Sequence, residues 1–211
     1  MKIAILANGE TREEFTSKHK STAIELIFAD SLNDLLAAGG ADAFFDCEFE
    51  SDPERVTRLA ELLPKPVFIN SVTHTLDEIG QPFIRLNAWP TFLRRDICEI
   101  AAGQAEREKA RLVFDALGWS FRVVPDIPGM IAARIVAMIV DEAYYTYEAG
   151  VSTKTDIDIA MKLGTNYPYG PFEWSEKIGL EKISLLLSRL SETDTRYSVS
   201  QTLLKESTSW H

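Results

Sequence analysis

By residue type and spacing, the first place to look for chemistry is the turn Ala7-Asn8-Gly9-Glu10-Thr11-Arg12, which follows the apolar run Lys2 to Ala7. A strand that enters a helix through Gly-x-Gly-x-x-Gly seats a pyrophosphate on the helix N-terminus, where backbone N–H groups and the helix dipole meet the anion. Here only the middle glycine, Gly9, is present. Ala7 narrows the turn, Arg12 puts a long side chain where helix and strand approach closely, and Glu10, Glu13 and Glu14 load the helix start with negative charge. That charge suits the helix dipole and repels a pyrophosphate, which Arg12 offsets in part by pairing with a phosphate. About twenty positions on, Asp30 closes the next apolar run, where an acid either holds a ribose hydroxyl or serves as plain turn chemistry. The pattern is that of an impaired dinucleotide site, with Gly9, Arg12 and Asp30 as residues that could still serve it.

Other chemistry-bearing residues are few. Of the three histidines, His19 in a charged helix and His211 at the end of the sequence are expected to be solvated, which leaves His74 in a loop after an apolar run. Cys47 and Cys98 stand in apolar contexts without metal-ligand spacing and read as buried free thiols. No metal site is expected.

These residues need a scaffold, and the pattern supplies one. Lys2 to Ala7, Ala23 to Ala29, Ala43 to Cys47, Pro66 to Asn70, Phe83 to Leu86 and Trp119 to Val124 are short apolar runs. Ser31 to Ala38, Asp52 to Leu63 and Ala101 to Leu117 have helical periodicity. Apolar strands alternating with helices give an α/β fold, a shortened Rossmann-like parallel sheet of about five or six strands. After Asp126-Ile127-Pro128-Gly129 the strand pattern ends. Met130 to Glu148 is apolar on nearly every face, so it reads as a buried helix or a subunit interface. Ser152 or Thr153 caps a helix through Lys162, Pro168 and Gly170-Pro171 force a turn, and Leu180 to Leu190 is amphipathic. Two domains follow: residues 1–125, Rossmann-like, and 126–211, all-α.

A chain of 211 residues, 45% hydrophobic, can bury a core in both. Its 22 basic and 32 acidic residues, net −10, argue against nucleic acid or an anionic membrane as partner. No apolar run reaches transmembrane length, and the sequence opens directly on a strand pattern, so a soluble cytoplasmic protein is expected.

The second half also carries a resemblance. The segments Asp126 to Arg134, Asp141-Glu142-Ala143-Tyr144, Ala160-Met161-Lys162-Leu163-Gly164 and Tyr167-Pro168-Tyr169-Gly170-Pro171-Phe172-Glu173-Trp174 resemble, in order, the C-terminal domain of the L-3-hydroxyacyl-CoA dehydrogenases. Those enzymes oxidise a 3-hydroxyacyl-CoA with NAD. The resemblance implies an acyl-CoA ligand, NAD as cofactor, and a homodimer formed through helices such as Met130 to Glu148. It also implies a shortened and divergent member, because a segment between the second strand and Ala43 is missing. An acidic chain needs a local basic patch to hold coenzyme A.

Carried onto the first half, the resemblance places the family's catalytic His on Asn87, in Leu86-Asn87-Ala88-Trp89-Pro90. The family's orienting Glu falls twelve residues on, at Glu99, and Asn70 matches directly, which the resemblance implies as a further cofactor-binding residue. The family's substrate-binding Ser falls on Val72, and two further active-site Asn residues fall on Pro90 and Ala133. A hydride transfer from an alcohol needs a base for the hydroxyl proton; imidazole serves, and an amide does not. Loss of general base catalysis costs about 10²–10⁴ in rate. His74, in the loop that lines the family's cleft, is either a displaced base or a surface residue; Glu99 either keeps its orienting place or pairs with Arg94 or Arg95.

Overall fold

A computed structural model describes residues 1–19 and 23–208; His211 lies outside them. The chain forms two compact units, Met1–Met130 and Ile131–His211, dividing five residues beyond position 125.

The first unit is a sheet in the order β2-β1-β3-β4-β5-β6-β7. The strands are β1 (Lys2–Leu6), β2 (Glu25–Ala29), β3 (Ala43–Asp46), β4 (Val67–Ile69), β5 (Ile84–Leu86), β6 (Ile97–Ala101) and β7 (Ser120–Val123). Helices α1 (Gly9–Lys18), α2 (Leu32–Ala37), α3 (Pro53–Ala60), α4 (Leu76–Ile79) and α5 (Gln104–Leu117) link them. Alternate residues of each strand enter opposite cores, as a period of two requires. Ile3, Ile5, Phe45 and Phe68 join one core with Phe114; Ala4, Leu6, Phe44 and Ile69 join the other with Leu35 and Leu59. Phe45 and Phe68 stack at 4.2 Å. Burial on both faces explains why these strands read as continuous apolar runs.

Two features differ from expectation. The sheet has seven strands, because Ile97–Ala101 is also a strand, and β6 runs antiparallel to β5 while β7 runs parallel to β6. Glu99 interrupts the apolar run of β6, and its last residue lies where the helical pattern of α5 was read to begin. Helix limits follow local chemistry: Ser31 and Asp52 cap α2 and α3, Thr75 and Glu78 form a capping box on α4, and Gly118 ends α5 at φ +70°. His19 is the half-buried C-cap of α1 rather than a solvated residue.

In the second unit the described residues form α6 (Ala132–Glu148), α7 (Lys154–Thr165), α8 (Pro171–Ile178), α9 (Leu180–Ser191) and α10 (Gln201–Ser207), with a 3-10 turn at Thr195–Tyr197 and no strand. Helix α6 is not buried all round. It buries Ala133, Val136, Ala137, Val140 and Tyr144 but leaves Ile135 55% exposed. Gly170 lies against Asp158, whose carboxylate accepts the Phe172 (2.8 Å) and Glu173 (3.2 Å) N–H groups and so caps α8. Among the described residues no helix is long and apolar enough to cross a membrane.

Candidate functional site

The C-terminal ends of β1 to β5 face one side of the sheet. Strand β1 lies between β2 and β3, so the chain reverses direction across the sheet at β1 and β3. In an open α/β sheet the ligand crevice lies outside such a switch point. The turns that border it are Ala7 to Gly9 after β1, Asp30 after β2, Cys47 and Glu48 after β3, Asn70 and Ser71 after β4, and Asn87 after β5.

Asn87 and Glu99 come together because β5 and β6 are antiparallel. The register pairs Leu86 with Ile100, and the Asn87 N–H donates to the Glu99 carbonyl at 3.1 Å, which puts the two residues opposite one another. Opposed residues in such a ladder present their side chains on one face. On the other side, β7 puts Arg122 in register with Glu99, a neighbour different from Arg94 and Arg95. Asn87 is 3% exposed, and neither Oδ1 nor Nδ2 has a hydrogen-bond partner. A buried polar group left in that state costs about 1–3 kcal/mol.

Asn70 serves the frame. Its Nδ2 donates to the Cys47 carbonyl and its Oδ1 accepts the Ala88 N–H, both at 3.0 Å, so the side chain ties the end of β3 to the residue after Asn87. His74 is half-buried in the loop before α4, and the Ser71 hydroxyl donates to its carbonyl at 2.9 Å. That loop is anchored by Arg85, a fully buried residue. Its guanidinium donates to the Ser71 (2.8 Å) and Val72 (3.0 Å) carbonyls and pairs with Asp126. Asp126 also accepts the Leu76 N–H at 2.8 Å. Val72, buried, contributes only backbone here.

At the glycine turn, Gly9 opens α1 at φ +48°, a conformation that favours glycine. Arg12 and Asp30 bind each other at 2.8 Å, both substantially exposed, and the Arg12 guanidinium lies 4.6 Å from the centre of the Phe28 ring. The two residues expected to hold phosphate and ribose thus neutralise one another. Glu14, 1% exposed, accepts the Thr91 (2.6 Å) and Leu93 (3.1 Å) N–H groups, while Arg94 binds Glu10 at 2.8 Å. Burial pushes the Glu14 carboxyl up from its ordinary range, against the pull of those N–H groups and Arg94.

The sequence reading missed Glu48 and the pair that fixes it. Asp46 is buried and bound by Arg55 through two bonds of 2.7 and 2.8 Å. Its carboxyl is raised because desolvation outweighs the Arg55 pairing. Asp46 also accepts the Glu48 N–H at 3.2 Å, and the Glu48 carboxylate in turn accepts the Asn8 N–H at 3.1 Å. Burial, with Asp46, Glu48 and Glu14 nearby, pushes the Cys47 thiol well above its ordinary value. Cys98 is also a buried free thiol. An acidic residue directly after an apolar strand was the available signal for Glu48.

In the second unit a cavity of about 720 Å³ opens between α6 and α7, lined by Ile135, Met138, Ile139, Ile157 and Met161, with Arg134 and Tyr197 among its polar residues.

Residues 129–209 match the C-terminal domain of 3-hydroxyacyl-CoA dehydrogenase. The 3-hydroxyadipyl-CoA dehydrogenase of Escherichia coli (strain K12) is 48% identical over 67 residues, 32% of this chain and 14% of that protein. The 3-hydroxybutyryl-CoA dehydrogenase of Bradyrhizobium diazoefficiens is 28% identical over 220 residues, 95% of this chain and 73% of its own length. Among solved structures, the (S)-3-hydroxybutyryl-CoA dehydrogenase of Ralstonia eutropha superposes with a TM-score of 0.71 at 17% identity, covering 97% of this chain and 92% of that one. At that identity the superposition speaks for the fold.

Proposed function

The chain belongs to the 3-hydroxyacyl-CoA dehydrogenase family, and from that premise we propose that it has lost NAD-linked dehydrogenation and keeps a cleft for an acyl thioester or a similar carbonyl ligand. The observation that carries this reading is Asn87, an amide where the resemblance puts the family's base, buried opposite Glu99 with both polar atoms unused. An amide cannot take a hydroxyl proton, so the step that must accompany hydride departure has no acceptor at this position. The same amide is suited to binding: Nδ2–H can donate to a carbonyl oxygen, and the pairing would relieve the cost of a buried, unsatisfied group.

The cofactor side points the same way. NAD would supply the hydride acceptor, but the residues present do not suit its pyrophosphate. The Asn8 N–H is taken by the Glu48 carboxylate, and Arg12 is taken by Asp30.

A second reading, a dimeric scaffold, draws on the outer face of the second unit. Ile135, which lines the α6–α7 cavity, is 55% exposed, and Ile159 and Leu163 on α7 are 47% and 83% exposed. Apolar exposure of this kind marks interaction surfaces, and the resemblance makes a second copy of the chain the expected partner. The two readings are compatible.

The test is a titration with acetoacetyl-CoA followed through the Asn87 side-chain amide resonances, with NADH consumption read in the same sample. A saturable shift without NADH consumption is expected. Consumption of NADH would overturn the loss of dehydrogenation, and an unmoved Asn87 amide would overturn the ligand role.

A further inference from the structure

The Glu48 carboxylate lies where a dinucleotide fold receives its pyrophosphate. The turn after β1 and the turn after β3 border the crevice at the switch point, and the bond from the Asn8 N–H to Glu48 Oε1, at 3.1 Å, joins them. Asn8 is the N-cap of α1 and precedes Gly9, so this N–H is among the donors at the helix N-terminus that meet an anion.

The contact is built rather than casual. Glu48 is placed by its own N–H, which donates to Asp46 Oδ1 at 3.2 Å. Asp46 is 1% exposed and is gripped by Arg55 Nε and Nη2 at 2.8 and 2.7 Å. Arg55 itself sits in the first turn of α3, whose N-cap Asp52 accepts the Arg55 N–H at 2.8 Å. A buried, two-pronged ion pair thus fixes the backbone from which the Glu48 side chain reaches across to β1. Arg94 is held by Glu10 at 2.8 Å, and Glu14 is buried beside it.

We infer that Glu48 is a specificity determinant: its carboxylate takes the place of a bound phosphate and restricts the crevice to ligands with no diphosphate at that position. This rests on the reading that dinucleotide chemistry is lost, and it supplies a cause separate from Asn87. A diphosphate entering the turn has to displace Glu48 from Asn8 or sit beside it, and two like charges at hydrogen-bonding range repel. Neutral and cationic ligands meet no such barrier.

The test compares the full chain with Glu48→Ala and Glu48→Gln by calorimetric titration with ADP, using adenosine as the control that lacks phosphate. The wild-type chain should show no saturable ADP binding at millimolar concentration. Glu48→Ala should gain at least about tenfold in ADP affinity, and Glu48→Gln should gain less, because it loses the charge but keeps an acceptor for Asn8. Adenosine affinity should stay the same in all three. Wild-type ADP binding equal to that of the variants, or no gain in either variant, would overturn the assignment. The Gln variant keeps the Asn8 contact and guards against a folding failure in the Ala variant. The result is separate from the proton step: ADP binding depends on Glu48 and turnover on Asn87, so either idea can fail while the other stands.

Discussion

Asn87 and Glu99 face each other across the β5–β6 ladder, the Asn87 N–H donating to the Glu99 carbonyl at 3.1 Å. The antiparallel step explains a spacing of twelve residues: the chain leaves the end of β5, loops through 88–96 and returns along β6 to the point where it left. In such a pair a base at one position and a carboxylate at the other share a face. Here the two opposed positions hold an amide, Asn87, and a carboxylate, Glu99.

The unpaired amide should cost stability. Asn87→Leu removes two unsatisfied polar atoms at nearly constant volume, and we expect it to raise the unfolding free energy by about 1–2 kcal/mol. Urea unfolding measures this through the midpoint. A fall of 1 kcal/mol or more would mean that Asn87 has partners in solution.

The buried carboxyls set a pH dependence. Burial raises Glu14, Asp46, Asp141 and Asp158 above their ordinary values. A group raised in the folded state contributes stability that is complete below its unfolded pKa and is lost as pH rises through the folded one. Glu173, lowered by Lys162 and the Gly170 N–H, has the opposite sign and loses its contribution only as pH falls through its own depressed value. The urea midpoint should therefore rise as pH is lowered from 8 through the raised values of these four groups toward the ordinary carboxyl range. A steady fall over that range would contradict the assignment of those four groups.

Two glycines of the second unit should behave differently. A Cβ on Gly170 would lie 2.3 Å from the Asp158 carboxyl carbon, whereas one on Gly164, near the end of α7, meets nothing within 4 Å. Gly170→Ala should cost about 2–3 kcal/mol by overpacking and by disturbing the cap of α8. Gly164→Ala should gain up to about 1 kcal/mol from helix propensity. Thermal unfolding of both variants checks the pair; equal effects would contradict the Asp158 contact.

The sequence made the strands of the first unit legible because residues buried on both faces leave continuous apolar runs, as in Ile3 to Leu6 and Ala43 to Phe45. Strand β6 was hidden because Glu99 breaks its run and a helix follows three residues after it. Helix α6 read as a buried helix or a subunit interface because Ile131 and Ile135 are apolar as well, and both are exposed in the single chain, which leaves the fully buried alternative aside. Gly9, Arg12 and Asp30 could be located by spacing, but the Arg12–Asp30 ion pair is a tertiary contact that no spacing reveals. Asn70 shows the same limit: both ends of its amide are committed to backbone groups of other segments. Glu48 was missed because its partner, the Asn8 N–H, lies forty residues away.

The apolar outer face of α6 and α7 gives an assembly prediction. Sedimentation should report a homodimer, and Ile135→Glu, which puts a charge on a residue 55% exposed beside the cavity, should shift it to monomer. A monomeric wild-type chain would remove the scaffold reading.

The central claim, that dehydrogenation is lost, is tested most directly by the rate of NADH oxidation with acetoacetyl-CoA, wild type against Asn87→Ala. The account predicts that both proteins stay at the rate of the protein-free solution. A wild-type turnover above that background that disappears in Asn87→Ala would contradict it, because the amide would then be taking part in the reaction.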